Sequence, residues 1–152
     1  MAFLIGAVAD EFVNSTRGEI GTIATLELFS ISIVSILISR NTHRINRRLV
    51  FILAAIIVAL GHSLTIYAPD LNTVFIARII SGIGSGAIVA TIMATIAKAQ
   101  NAQMTFALLN SGVGAAGVLL SLVIPRIISI YGMDGAYFIH LVFSLLAFLF
   151  IL

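Results

Sequence analysis

The sequence predicts an all-α integral membrane protein with about five complete transmembrane helices plus part of a first. Three observations carry this prediction. Of 152 residues, 61% are hydrophobic and 9% charged, against about 45–50% and about 25% in ordinary soluble domains. The mean hydropathy of +1.19 is more than a soluble fold of this length can hide, because small domains leave much of their surface exposed. The apolar residues also fall into continuous runs of roughly the 20 residues that a helix needs to cross the hydrocarbon core. Barrel strands would alternate apolar and polar residues instead, and helices satisfy their own backbone groups in lipid.

The runs are taken as one transmembrane domain over residues 1–152. The first, 1–13, is too short to cross and ends in Asp10 and Glu11. It lacks the basic start and small-residue cleavage site of a signal peptide, and reads as the outer end of a helix whose beginning is missing. Runs 20–39, 49–68, 73–97, 104–130 and 135–152 follow, separated by SRNTHRINRR, PDLN, KAQNAQ and YGMD. Pro125 removes one hydrogen bond near the end of the 104–130 run and is a place for a kink. The last run reaches Leu152 without a polar flank, so the chain reads as part of a longer protein.

Orientation follows from the basic residues. Arg40, Arg44, Arg47 and Arg48 share one short loop, and Lys98 opens the loop two crossings later. The positive-inside bias makes loops 40–48 and 98–103 cytoplasmic. Asn14–Thr16, Asp70 and Asp134 then lie outside. A net charge of +2 is too small to point to nucleic acid. With no cysteine, disulfides and thiolate metal sites are excluded. No histidine or carboxylate pair has metal-ligand spacing, no nucleophile–base constellation is visible, and no cofactor motif is found, so an enzyme is not expected.

The stretch ARIISGIGSGAIVA, 77–90, holds Gly82, Gly84 and Gly86. A dinucleotide fingerprint needs a preceding strand, a tight turn and an acidic residue about 20 positions on, and this context is missing. Gly82 and Gly86 instead share one helix face and permit close approach of another backbone. Gly112, Gly114 and Gly117 form a second small-residue strip, on the 104–130 run. Both strips are read as helix-packing faces, with a role in lining a pathway left open.

Charges within the runs are the candidates for function, since each costs at least about 2.5–3.5 kcal/mol at the bilayer centre. Arg78 lies about 9 Å from the outer loop at 1.5 Å per residue, and Asp10 and Glu11 fall at a similar depth. An Arg78–Asp10 or Arg78–Glu11 pair would relieve both desolvation costs; snorkelling of Arg78 to the headgroups is the other account. Glu27 sits deeper, with no compensating charge at helical spacing from Ile23, Phe29 or Ile31, and is a proton or cation site or a structural partner. His62 and His140 read as packing or interfacial residues.

Three stretches carry a family resemblance. Arg78-Ile-Ile-Ser-Gly82-Ile-Gly84-Ser-Gly86 resembles the arginine–glycine signature in the fourth span of major facilitator superfamily transporters. Arg44, Arg47 and Arg48 match the basic positions of the family's loop between its second and third spans, while Ser39, His43 and Asn46 replace a glycine, the aspartate and a second glycine. Residues 131–138 resemble the glycine–aromatic entry to the sixth span. The resemblance covers nearly the whole chain and implies the amino-terminal six-helix half of the fold, truncated within the first helix. It further implies an arginine at position 78 linked to proton coupling, and a gating loop weakened or made pH-dependent by His43. The family's fifth-span glycine–proline motif has its glycines here without the proline inside it.

The function expected is transport of a small solute by alternating access, proton-coupled, in a plasma (inner) membrane. The alternative is a small oligomerising or channel-like membrane protein without alternating access. The partners implied are the solute, protons, the lipid bilayer, and either a missing carboxy-terminal six-helix half or another copy of the chain.

Overall fold

In the computed structural model, residues 2–41 and 43–149 are described; Met1 and the last three residues of the expected 135–152 run lie outside them. Five helices follow one another: α1 (Ala2–Glu11), α2 (Arg17–Asn41), α3 (Arg47–Ile66), α4 (Leu71–Ile96) and α5 (Ala102–Leu149), with no strand among the described residues. Four of them, α2 to α5, are long and apolar enough to cross a membrane.

A polar residue starts each of these four. Thr16 and Glu19 form a capping box at α2, with Thr16 N–H donating to Glu19 Oε2 at 2.8 Å and Glu19 N–H to Thr16 Oγ1 at 3.3 Å. Asn46 Oδ1 accepts from Leu49 N–H at 3.3 Å, Asp70 Oδ1 from Thr73 N–H at 2.7 Å, and Asn101 Oδ1 from Met104 N–H at 3.0 Å. These side chains satisfy helix-end donors that would otherwise have no intrahelical partner. The helices therefore start two or three residues earlier than the apolar runs alone suggest.

The two runs expected on either side of YGMD are joined in α5 through one non-helical residue, Gly132. At about 1.5 Å per residue, the 48 residues of α5 would far exceed one crossing, and the chain turns back on itself at Gly132. This residue has φ 63° and ψ −151°, a region open essentially to glycine alone. A Cβ placed on Gly135 would lie 2.9 Å from Ile127 Cγ2 and 2.5 Å from Tyr131 Cβ. Eight residues along a straight helix would separate Gly135 from Ile127 by about 12 Å, so 102–131 and 133–149 are two arms of a hairpin. Pro125 lies within the first arm, and the break falls at Gly132 instead.

Helix α4 is the centre of the bundle, packed against α2 on one side and α3 on the other. Its glycines make this possible. A Cβ on Gly82 would sit 2.6 Å from the Glu27 carbonyl oxygen, one on Gly86 2.6 Å from that of Ile31, and one on Gly84 2.6 Å from that of Ala54. Gly61 of α3 approaches the Ser81 backbone in the same way, at 2.7 Å. Lipid supplies no hydrophobic force between helices, so such close contact carries the association. An apolar cluster of Leu4, Val8, Ile23, Val74, Ile124 and Tyr137 joins α1, α2, α4 and α5 near the end bearing Asp70. Exposed Leu28, Phe29, Ile33 and Ile36 on α2 form an outward apolar face.

The strip Gly112, Gly114 and Gly117 behaves otherwise. Nothing lies within 4 Å of a Cβ on any of the three, so the expected packing on it is not made with other described residues of this chain. The first arm of α5 meets the bundle on another face and leaves this one open.

Candidate functional site

The most deeply buried large polar side chain is Arg78, 2% exposed in the first third of α4. It does not snorkel. Its Nη1 lies 3.6 Å from Glu27 Oε1 on α2, whose side chain is also withdrawn from solvent. The expected partners, Asp10 and Glu11, are both exposed at the end of α1, and Glu11 stands near the α5 turn at Gly132. Depth along a helix does not fix the direction in which a residue faces around it, so equal depth does not bring two side chains together. The apparent lack of a counter-charge for Glu27 has the same origin, because its partner comes from another helix.

The rest of the guanidinium is held by α3. Nη2 donates to Thr65 Oγ1 at 2.5 Å and to the Gly61 carbonyl oxygen at 3.3 Å, and lies 3.3 Å from His62 Nδ1. Thr65 passes its own hydroxyl hydrogen to the Gly61 carbonyl at 2.9 Å, which leaves its oxygen lone pairs to accept from Arg78. Tyr137, from the second arm of α5, lies with its ring centroid 4.6 Å from Cζ, a cation–π contact in a desolvated setting. Arg78 Nε–H alone lacks a hydrogen-bond partner among the described residues. On the α2 side, Ser81 Oγ donates to Glu27 Oε1 at 3.4 Å.

Four helices thus converge on one charge pair. His62 and His140 belong to the same cluster: their ring centroids are 5.6 Å apart, and His62 is 6.2 Å from Tyr137. The sequence alone suggests packing or interfacial roles for both histidines and does not single out Thr65 or Tyr137. One signal was available. His62 and Thr65 are three positions apart on α3 and Tyr137 and His140 three apart on α5, so each pair shares a helix face.

The basic-loop residues sit apart from this cluster. His43 Nε2 accepts from Arg44 Nε–H at 3.1 Å, and Asn46 caps α3. Arg47 and Arg48 begin α3 and border a cavity of about 340 Å³ with Phe51, Thr91, Ile92, Thr95 and Ile96. The three α4 glycines set the spacing of α2 and α3 around Arg78, as described above. Gly112, Gly114 and Gly117 do not touch the site.

A bundle of helices long and apolar enough to cross a membrane, with a charge pair withdrawn from solvent between them, is the architecture of an integral membrane protein, and the cost of holding charge in lipid makes such a pair a candidate for function. Over residues 1–152 the chain matches the family model described as Major Facilitator Superfamily, and it belongs to that family. Comparison with curated proteins and with solved structures gave no match. The family is one of transporters, not enzymes, and the function of this chain is accordingly transport of a small solute across a membrane.

Proposed function

We propose that the chain forms one wall of an alternating-access pathway and that protons drive the cycle through the Arg78–Glu27 pair. The observation that carries this reading is the 3.6 Å contact between a 2% exposed arginine and a carboxylate on a different helix. A proton on Glu27 cancels the attraction while Arg78 stays charged, since a guanidinium does not deprotonate in proteins. Arg78 would then be held by α3 and Tyr137 alone, and α2 would be released from the charge that ties it to α4. Asp10 and Glu11, exposed near the end bearing Asp70, are proposed as carboxylates at the pathway mouth. Loops 40–48 and 98–103 are proposed to face the cytoplasm across a plasma (inner) membrane.

The open strip of Gly112, Gly114 and Gly117 supports a helix from outside this chain, which we assign to a second six-helix half. The same strip is the one observation that favours the alternative, an oligomer of identical chains with no alternating access. Reconstitution of the complete protein in vesicles decides between them. Under an imposed proton gradient and across a panel of solute classes, coupled uptake or efflux is expected from the wild type. Arg78→Ala, Arg78→Lys and Glu27→Gln are expected to lose the gradient dependence. Normal coupling in both Arg78 variants would refute the role given to the pair.

A further inference from the structure

His62 and His140 are buried or half-buried titratable groups beside the ion pair that the proposed cycle does not use. Their hydrogen bonds assign their tautomers. Arg78 Nη2 has only hydrogens to give, so His62 Nδ1, 3.3 Å away, accepts with its lone pair, and the ring's hydrogen is on Nε2. His140 is the reverse. Its Nδ1 lies 3.0 Å from the Ala136 carbonyl oxygen, which can only accept, so Nδ1 carries the hydrogen and Nε2 the lone pair.

We propose that His62 is a second proton-binding site and a positioning residue for Arg78, holding the guanidinium only while Nδ1 is unprotonated. The exclusion is chemical. One lone pair cannot both accept from Arg78 and bind a proton, and an imidazolium at that distance would face a guanidinium as a like charge. Binding of one proton at Nδ1 therefore breaks the contact and pushes Arg78 away from the α3 carbonyl and hydroxyl that anchor it.

The groups facing His62 are few. Arg78 faces it from α4 with Glu27 of α2 behind, and α5 contributes Tyr137 and His140. Glu27 and His62 hold opposite ends of the same guanidinium, so a proton on Glu27 loosens the α2 end and a proton on His62 the α3 end. This inference rests on the reading of the Arg78–Glu27 pair as the moving part, and extends it from one proton site to two.

The test uses the complete protein in lipid nanodiscs, with ¹⁵N-labelled histidine and arginine, titrated downward from about pH 9 to about pH 3, well past the ordinary histidine value of about 6.5. The Arg78 and His62 signals are assigned by their loss in Arg78→Lys and His62→Asn. Expected at high pH is a His62 ring with a bare Nδ1 and a protonated Nε2, and a His140 ring with the opposite pattern. On acidification, His62 Nδ1 gains a proton in step with a change in the Arg78 guanidinium signals. His62→Asn retains an amide oxygen that can accept from Arg78 but cannot bind a proton near neutrality, and the Arg78 signals should lose that step. Finding the hydrogen on His62 Nδ1 in the wild type at high pH would overturn the proposal without any variant. So would an Arg78 step that survives in His62→Asn and disappears in Glu27→Gln; that result leaves the Glu27 reading standing. A step lost in His62→Asn and kept in Glu27→Gln would uphold His62 and refute Glu27 as a proton site.

Discussion

Arg78 Nη1 of α4 and Glu27 Oε1 of α2 lie 3.6 Å apart, with side chains 2% and 8% exposed. The pair spans the interface where Gly82 lets α4 touch the Glu27 backbone itself. The glycine that brings the helices together and the arginine that pairs across them are thus one device. A bulkier residue at position 82 would hold the two helices apart where the charges meet.

Removing one member of this pair leaves a buried charge without its counter-ion, which typically costs about 3–5 kcal/mol. Arg78→Ala should therefore destabilise strongly, and Arg78→Ala with Glu27→Ala by less than the sum of the single changes. A double-mutant cycle on equilibrium unfolding in mixed micelles measures the difference. Strict additivity would mean that the two side chains do not interact.

The α4 glycines predict a site-specific steric effect. Gly86→Ala places a Cβ 2.6 Å from the Ile31 carbonyl oxygen, and overpacking of this kind costs about 1–3 kcal/mol. Gly21→Ala, which has nothing within 4 Å on α2, should instead gain up to about 1 kcal/mol of helix propensity. Opposite shifts in thermal stability are expected, and equal shifts would contradict the close contact.

Gly132 turns the two arms of α5 back on each other at φ 63°. Alanine there should cost about 1–3 kcal/mol, the usual strain for a side chain in that region. Because the turn brings Tyr137 to Arg78 and His140 to His62, the proton coupling proposed above should weaken along with stability. A variant as stable and active as the wild type would show that the turn tolerates a side chain.

Asp70, outside the membrane-spanning segments, accepts from the Thr73 backbone N–H, and the Thr73 hydrogen bonds hold its carboxyl below the ordinary value. A folded-state pKa below the unfolded one contributes stability that is present above the unfolded pKa and lost as pH falls through the folded pKa. Unfolding midpoints should therefore drop on the acid side, below the ordinary Asp pKa of about 3.9. Asp70→Asn, which keeps a capping oxygen, should remove Asp70's share of that drop; an identical acid limb in the variant would show that Asp70 makes no contribution.

The proposed orientation can be read with single cysteines, since this chain has none of its own. A membrane-impermeant maleimide added to intact cells should label Asn14→Cys and spare Asn101→Cys until the membrane is opened. The reverse pattern would invert the topology.

The membrane class and the α2, α3 and α4 spans were legible in the sequence because they depend on local properties. Run length against bilayer thickness and capping side chains are each confined to one element. The family could be recognised from short motifs around Arg78 and Arg44 for a similar reason. The YGMD separator falls where the two arms of α5 meet, and only the structure shows that the turn is made at the single residue Gly132.

That Arg78 is an intramembrane charge, to be either paired or snorkelled to the headgroups, was determined by the sequence alone, through the cost of its burial. Only the tertiary structure decided that the partner is Glu27 and not Asp10 or Glu11, and that His62 and Tyr137 complete the site. Depth follows from counting residues along one helix. Which side chains face each other across helices depends on how those helices are rotated and how closely their glycines let them approach.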